Sequence, residues 1–378
     1  MTAPVPAQVE RLERAVKAAQ RGDLDAVAEV EAADDWHLTR RTGLGGSDVA
    51  ALLGLDRWKR PIDVWLVKTG RQSDDAAPES EPARWGKLLE PVVAEDYAAT
   101  HKVRLVGPLP AMRHPERSWH LGNIDRAVPV ILGDGYTRIV EIKTRGWHRL
   151  REYGLADTDE VPLAEQCQAR WYMPLARVDR ADVAVLFNTS HRRDYVLERD
   201  DTIEQGLVES CEQWWRDHVL ADVAPDADGS DSYGRYLADR FDADAGYAVP
   251  TEHDLELLGQ ARALAVLSRS VRDARELVQQ RIGQRIGEAA GWDLAPFGDA
   301  KLHYKAQRGR PDDSSVMREL AERLGIGERQ LEALRSQHRH KPSRPMRFPV
   351  SWRSDVLVGV LPELATAINS LTEPSKCP

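Results

Sequence analysis

The stretch Arg138-Ile-Val-Glu-Ile-Lys-Thr144 decides how this chain is read. Its β-branched residues, with no Gly or Pro among them, predict a strand. Side chains alternate along a strand, so Glu141 and Lys143 share one face with Ile139, while Val140 and Ile142 point the other way. An apolar strand has little reason to carry a carboxylate and an ammonium two residues apart on one side. A divalent metal is one such reason. Two carboxylates and a backbone carbonyl can bind Mg²⁺ and still leave it waters. An adjacent lysine can then position an attacking water or help deprotonate it, while the metal stabilises the charge that develops on a phosphoryl oxygen. The competing reading is a surface ion pair on a half-exposed strand, which is common for so short a motif.

Working upstream, Gly122-Asn-Ile-Asp125 sets a second carboxylate at hairpin distance from Glu141, with Gly133-Asp134-Gly135 as the turn. Asp134 is read as a turn residue. Two further strands are expected at Val103-Arg-Leu-Val106 and Asp182-Val-Ala-Val-Leu-Phe187, and a helix from about Leu163 to Leu175 lies before the latter. Helix, strands, helix, strand is an α/β arrangement. Earlier in the chain, helical periodicity covers residues 5 to 33, the segment after Ser47, Asp63 to Lys68 and roughly Trp85 to Thr100, with Pro91 expected in the first turn of the last. The polar, Pro-containing stretch Arg71 to Arg84 reads as a loop. The organisation expected is a helical segment 1–35, an α/β core 36–221, a linker 222–250 and a mainly helical region 251–378. The last has a long helix Glu252 to Ala290, a short strand pair at Gly298 to Ala306 and a helix Arg318 to Arg335. None of its motifs reads as chemistry.

Composition narrows the classes. The chain has 378 residues, 42% hydrophobic and 30% charged, with a net charge of −9. That balance neither announces nor excludes a nucleic-acid partner, because a local basic surface is enough to bind phosphates. The three cysteines, Cys167, Cys211 and Cys377, have no C-x-x-C spacing, which argues against a zinc knuckle, an iron–sulfur site or a disulfide framework. No apolar run suits a bilayer, and Met1-Thr2-Ala3-Pro4 does not open a signal peptide, so a cytoplasmic protein is expected.

Arg40-Arg-Thr-Gly-Leu-Gly-Gly-Ser-Asp48 leads into a helical pattern. Ser47 is expected as the N-cap and Asp48 as a first-turn acid suited to the helix dipole. Five tryptophans, Trp58, Trp65, Trp85, Trp147 and Trp171, invite a base-stacking reading, although core or hinge positions are commoner for such residues.

Taken in order, Gly-Gly-Ser-Asp, W-G-K-x-x-E ending at Glu90, G-x-x-D ending at Asp125, E-x-K at Glu141 to Lys143, and Q-x-Q at Gln166 to Gln168 resemble the YqaJ-type viral recombinase nucleases. That group includes phage lambda exonuclease and belongs to the PD-(D/E)xK superfamily. The resemblance runs from about Trp36 to Leu220. It implies a restriction-endonuclease-like core with a central mixed sheet flanked by helices. It also implies a Mg²⁺-dependent deoxyribonuclease, with Mn²⁺ able to substitute, that acts 5′ to 3′ from duplex DNA ends and makes single-stranded tails for phage-type recombination. Glu90, Asp125, Glu141 and the Ile142 carbonyl would hold the metal, with Lys143 and Gln166 at the attacking water. Gln168 and Tyr172 are further candidates, weighted below Gln166. Arg40, Ser47 and Arg149 would hold a terminal 5′-phosphate, Arg145 being a substitute for Arg149. A single-strand annealing partner and a ring-shaped trimer are implied as well. Two other readings stand beside this one: an endonuclease or repair nuclease of the same fold, and a DNA-binding scaffold with a decayed site.

Overall fold

The computed structural model describes residues 6–72, 80–241, 247–287, 289, 291–292, 302–303 and 329. The chain divides into two compact units, 1–236 and 237–378.

The first unit begins with helices α1 (Pro6–Gln20), α2 (Leu24–Ala32), α3 (Trp36–Arg41), α4 (Gly46–Leu52), α5 (Pro61–Lys68) and α6 (Glu81–His101). A small ribbon of β1 (Met112–Arg113) and β2 (Leu121–Gly122) leads into the main sheet. That sheet holds β3 (Arg126–Pro129), β4 (Tyr136–Arg145), β5 (Arg180–Phe187) and β6 (His191–Glu198), in that spatial order. β4 and β5 run parallel and the other neighbours antiparallel, so the sheet is mixed. Helix α7 (Leu163–Ala176) makes the crossover between the parallel pair, and α8 (Asp201–Trp214) and α9 (Asp231–Arg240) follow. The expected α/β core with a central mixed sheet flanked by helices is what the chain forms.

Strand β4 divides the core as its alternation requires. Ile139 enters the larger apolar cluster with Trp171, Met173 and Val183, on the α7 side. Val140 and Ile142 enter a second cluster with Val93, Ala94 and Tyr97 of α6. Glu141 and Lys143 therefore face α7.

Several boundaries differ from expectation. Val103 to Val106 is not a strand: the Val103 N–H still caps α6 through the Ala98 carbonyl, and only Val106 bridges to Ala127. Strand β6 escaped notice because its first half, His191-Arg-Arg-Asp194, is polar; Tyr195 and Leu197 carry its burial. Helix α6 starts at Glu81, capped by the Ser80 hydroxyl, so Pro91 lies inside the helix rather than in its first turn. The N-cap of α4 is Gly45, not Ser47, and the Asp48 carboxylate accepts the Gly45 N–H. The stretch 222–250 holds α9, which Tyr236 anchors edge-on against Trp65, and the break between units falls within that helix.

In the second unit, α10 runs Glu252–Ile286, and a short antiparallel pair joins β7 (Gly291–Trp292) to β8 (Leu302–His303). All but residue 329 of the expected helix Arg318 to Arg335, and most of the expected strand pair Gly298 to Ala306, lie outside the described residues. Among the described residues, no helix is long and apolar enough to cross a membrane.

His120 is fully buried, its ring against Trp171 and its Nε2 donating to the Trp171 carbonyl. Burial pushes its pKa from 6.5 down to about 3, and the Trp171 carbonyl only partly opposes that. The unfolded chain therefore binds one more proton between those values, so this residue makes stability fall as pH drops through that window. By pH 5 the loss from this residue is about 2 kcal/mol. Buried Glu204, pushed up to about 7, acts in the opposite sense. The comparison that isolates His120 is urea unfolding of wild type and His120→Gln at pH 7 and pH 5; the variant should lose less stability across that step.

Candidate active site

The site forms where the sheet opens. β3 pairs with β4 only as far as Arg126 opposite Val140. Beyond that point the edge of β4 toward β3 is unpaired, and Asp125 fills it: its Oδ2 accepts the Ile142 N–H at 2.9 Å. The N–H and C=O of one strand residue point to the same edge, so the Ile142 carbonyl also faces this opening.

Glu141 is 2% exposed. Its Oε1 accepts from Lys143 Nζ at 2.5 Å and from Gln168 Nε2 at 2.6 Å, and Gln168 Oε1 accepts from Lys143 at 3.1 Å. Glu141 Oε2 is buried with no hydrogen-bond partner among the described residues. Burial, then the charge of Asp125, push the Glu141 pKa up to about 7, against the pull of Lys143. Burial alone would lower Lys143, but Glu141, Asp125 and Glu165 outweigh it and raise the ammonium above its ordinary value. Tyr172, one turn beyond Gln168, is buried and raised for the same reason of burial, with Glu141 adding to it.

Gln168, rather than Gln166, is thus the glutamine that meets Glu141 and Lys143. Gln166 donates to the Val161 carbonyl at the start of its own helix. Two residues on a helix are about 200° apart, so the two amides cannot both face β4. Gly46 allows α4 to lie against this pair: a Cβ there would fall 2.7 Å from Tyr172 Cζ and 2.9 Å from Gln168 Cγ.

Glu90 reaches the same region from α6. Arg126 donates to Glu90 Oε1 at 2.7 Å and to the Asp125 carbonyl at 2.6 Å, tying helix to strand. Glu90, Asp125, Glu141, Lys143, Gln168 and Tyr172 line one cleft of about 490 Å³. Among the described residues, no three Asp, Glu, His or Cys side chains stand close enough to chelate an ion as they are. The reason is visible in the contacts: Lys143 and Gln168 hold Glu141, and Arg126 holds Glu90.

The same cleft extends to Arg40, Ser47 and Arg145. Arg40 Nη2 lies 3.2 Å from Ser47 Oγ. Behind them Asp48 is fully buried, with Lys59 Nζ at 2.7 Å, Lys68 Nζ at 2.8 Å and Arg40 at 3.6 Å. Burial would raise the Asp48 pKa, but these cations hold it well below the usual carboxylate range. Arg145 is fixed by Glu165, whose Oε1 accepts its Nε at 3.0 Å and its Nη2 at 2.7 Å, with the Tyr153 hydroxyl donating to the same oxygen. Arg149 instead pairs with Glu152 and lies outside the cleft lining, whereas Arg145 is part of that lining. Sequence reading missed Arg126, Lys59, Lys68 and Glu165. Of these only Arg126 carried a signal, its place directly after Asp125.

Residues 35–179 match the family described as the YqaJ-like viral recombinase domain. The uncharacterized protein YqaJ of Bacillus subtilis (strain 168) is 33% identical over 210 residues, which is 55% of this chain and 63% of that protein. Among solved structures, an alkaline exonuclease from Laribacter hongkongensis aligns at 13% identity over 50% of this chain and 93% of that one, with a TM-score of 0.39. A phage-related exonuclease from Haemophilus somnus 129PT aligns at 14% identity over 48% of this chain and 96% of that one, with a TM-score of 0.33. The chain therefore spans less than two thirds of the length of the Bacillus subtilis relative, and its likeness to the family model is confined to residues 35–179.

Proposed function

We propose that this chain is a PD-(D/E)xK-type, metal-dependent deoxyribonuclease that hydrolyses DNA 5′ to 3′ from duplex ends and leaves single-stranded tails for recombination. The observation that carries this reading is the meeting of Asp125, Glu141, Lys143 and Gln168 at the open edge of β4, in a cleft whose other end presents Arg40 and Ser47. The donor set suits Mg²⁺ or Mn²⁺. It is all oxygen, and Glu141 Oε2 is a buried carboxylate oxygen without a hydrogen bond. Asp125, Glu141 and the Ile142 carbonyl would hold the ion, with Glu90 beside them. When bound, it supplies Lewis-acid stabilisation of charge on the scissile phosphate.

The chain's own groups do the rest. Lys143, kept protonated by three carboxylates, is a fixed donor and positive charge for a water or phosphate oxygen beside Glu141. Gln168 holds the Glu141 carboxylate and Lys143 in one geometry, which is the positioning a water attack needs. Arg40 and the exposed Ser47 hydroxyl offer a charged donor and a neutral one to a terminal phosphate, with Arg145 the third group.

The test uses linear duplex with and without a 5′-phosphate, in Mg²⁺ and in EDTA, with a closed circular duplex alongside. Cutting of linear DNA in Mg²⁺ only, with the circle intact, is the expected result. Arg40→Ala and Ser47→Ala should slow phosphorylated ends by about tenfold or more, the scale of one charge-assisted hydrogen bond, while 5′-hydroxyl ends change far less. The ratio of the two substrates cancels any loss of folded protein. Equal slowing of both would make Arg40 and Ser47 structural only, and nicking of the circle would make the chain an endonuclease.

A further inference from the structure

Of the tryptophans singled out by sequence, Trp65 and Trp171 are buried, while Trp58, Trp85 and Trp147 are exposed. Trp147 differs from a stray surface aromatic in three ways. It follows Thr144 and Arg145, which line the cleft, so it stands at the C-terminal end of β4 beside the site. Its backbone is pinned: the Trp147 N–H donates to Asn188 Oδ1 at 2.9 Å, and the Asn188 N–H donates to the Arg145 carbonyl at 2.7 Å. These bonds lock the loop after β4 to the loop after β5. The indole meets His191 edge-on, with ring centroids 5.6 Å apart and planes at 68°. The contact restrains the ring, and the residue remains 52% exposed.

The surroundings are basic. Residues 145 to 151 carry Arg145, His148, Arg149 and Arg151, and the adjoining start of β6 carries His191, Arg192 and Arg193. Acidic partners are present too: Glu165 holds Arg145, Glu152 holds Arg149, and Asp194 and Asp96 hold Arg192. In a chain whose net charge is −9, this is still a local concentration of basic side chains beside a fixed aromatic ring. A positively charged track with an aromatic platform is the chemistry that binds single-stranded nucleic acid without reading its sequence.

We propose that Trp147 stacks on an unpaired base of a single DNA strand that emerges from the cleft, with His148 and Arg151 near its phosphates. The proposal rests on the nuclease reading above, since that reaction produces such a strand. It makes no claim on hydrolysis itself.

The test measures binding of the full chain in EDTA, where no cutting occurs, to two fluorescein-labelled duplexes of equal duplex length. One is blunt and one carries a single-stranded tail. Trp147→Ala should weaken binding of the tailed duplex by about 5- to 100-fold, the range of one lost base stack. Blunt duplex should be nearly unaffected, and Trp147→Phe should keep most of the tail preference. An equal loss on both duplexes, or no loss on the tailed one, would overturn the proposal. If Trp147→Ala keeps the tail preference while wild type still cuts linear DNA, the platform fails and the nuclease reading stands. A wild-type chain that neither binds nor cuts DNA would sink both.

Discussion

Lys143→Ala and Glu141→Gln are each expected to slow digestion of a linear duplex by at least on the order of 10³-fold, the scale set by losing one preorganised charge from a water-excluded site. The two side chains act as a unit with Gln168, sharing one carboxylate oxygen within hydrogen-bonding distance. Their losses should therefore not add: the double variant should be barely slower than either single one. Two neighbouring glutamines supply the internal comparison. Gln168→Ala removes the group that spans Glu141 and Lys143 and should cost roughly 10- to 100-fold. Gln166→Ala removes only a bond to the Val161 carbonyl and should leave the rate within about threefold. Initial rates of mononucleotide release, with folding checked by circular dichroism, decide the matter. A Lys143→Ala chain that cuts as fast as wild type would end the nuclease proposal, and a larger effect at Gln166 than at Gln168 would contradict the placement of α7.

Asp48→Asn should be the most damaging substitution for stability, by about 3–5 kcal/mol, the usual result of removing one partner from a buried ion pair. Asp48 is fully buried, and so is Lys68, whose pKa is pushed down to about 8 by burial and by the charges of Arg40 and Lys59 despite the pull of Asp48. Neutralising the carboxylate leaves the charges of Lys59, Lys68 and Arg40 close together without the anion that balances them. Adding Lys68→Met to Asp48→Asn should recover part of the loss, because it removes the ammonium that can least reach water. Urea unfolding of the two variants and wild type at pH 7 measures this. A change below about 1 kcal/mol in Asp48→Asn would mean that the cations relax into solvent and the cluster contributes little.

Much of the site was legible in the sequence because strand geometry is local. Period-two alternation in Arg138 to Thr144 placed Glu141 and Lys143 on one face before any tertiary contact was considered, and the structure gives them that face, toward α7. The fold class was legible for a related reason: the helix Leu163–Ala176 between two apolar strands leaves a parallel crossover as the natural connection. Helix phase was much less legible. Gln166 and Gln168 are equally good helix residues, and only the packing of α7 on β4 determines which amide reaches Glu141. The edge strand β6 was missed because its pairing with β5, rather than its own polar first half, makes it a strand.

By itself, then, the sequence determined the order of motifs, the α/β class and the shared face of Glu141 and Lys143, all set by covalent spacing and backbone period. The tertiary structure alone decided what lies across from them. It brought Gln168 rather than Gln166 to the carboxylate, and Arg145 rather than Arg149 to the cleft. It made Asp48 a buried counter-ion rather than a first-turn surface acid, with Gly45 in place of Ser47 at the helix cap. These outcomes depend on burial and on contacts between segments distant in sequence, as with Lys68 and Asp48 or Arg126 and Glu90. Local propensity carries no information about which buried charge meets which, because that choice is made only when whole faces pack and every charge taken from water must find a partner.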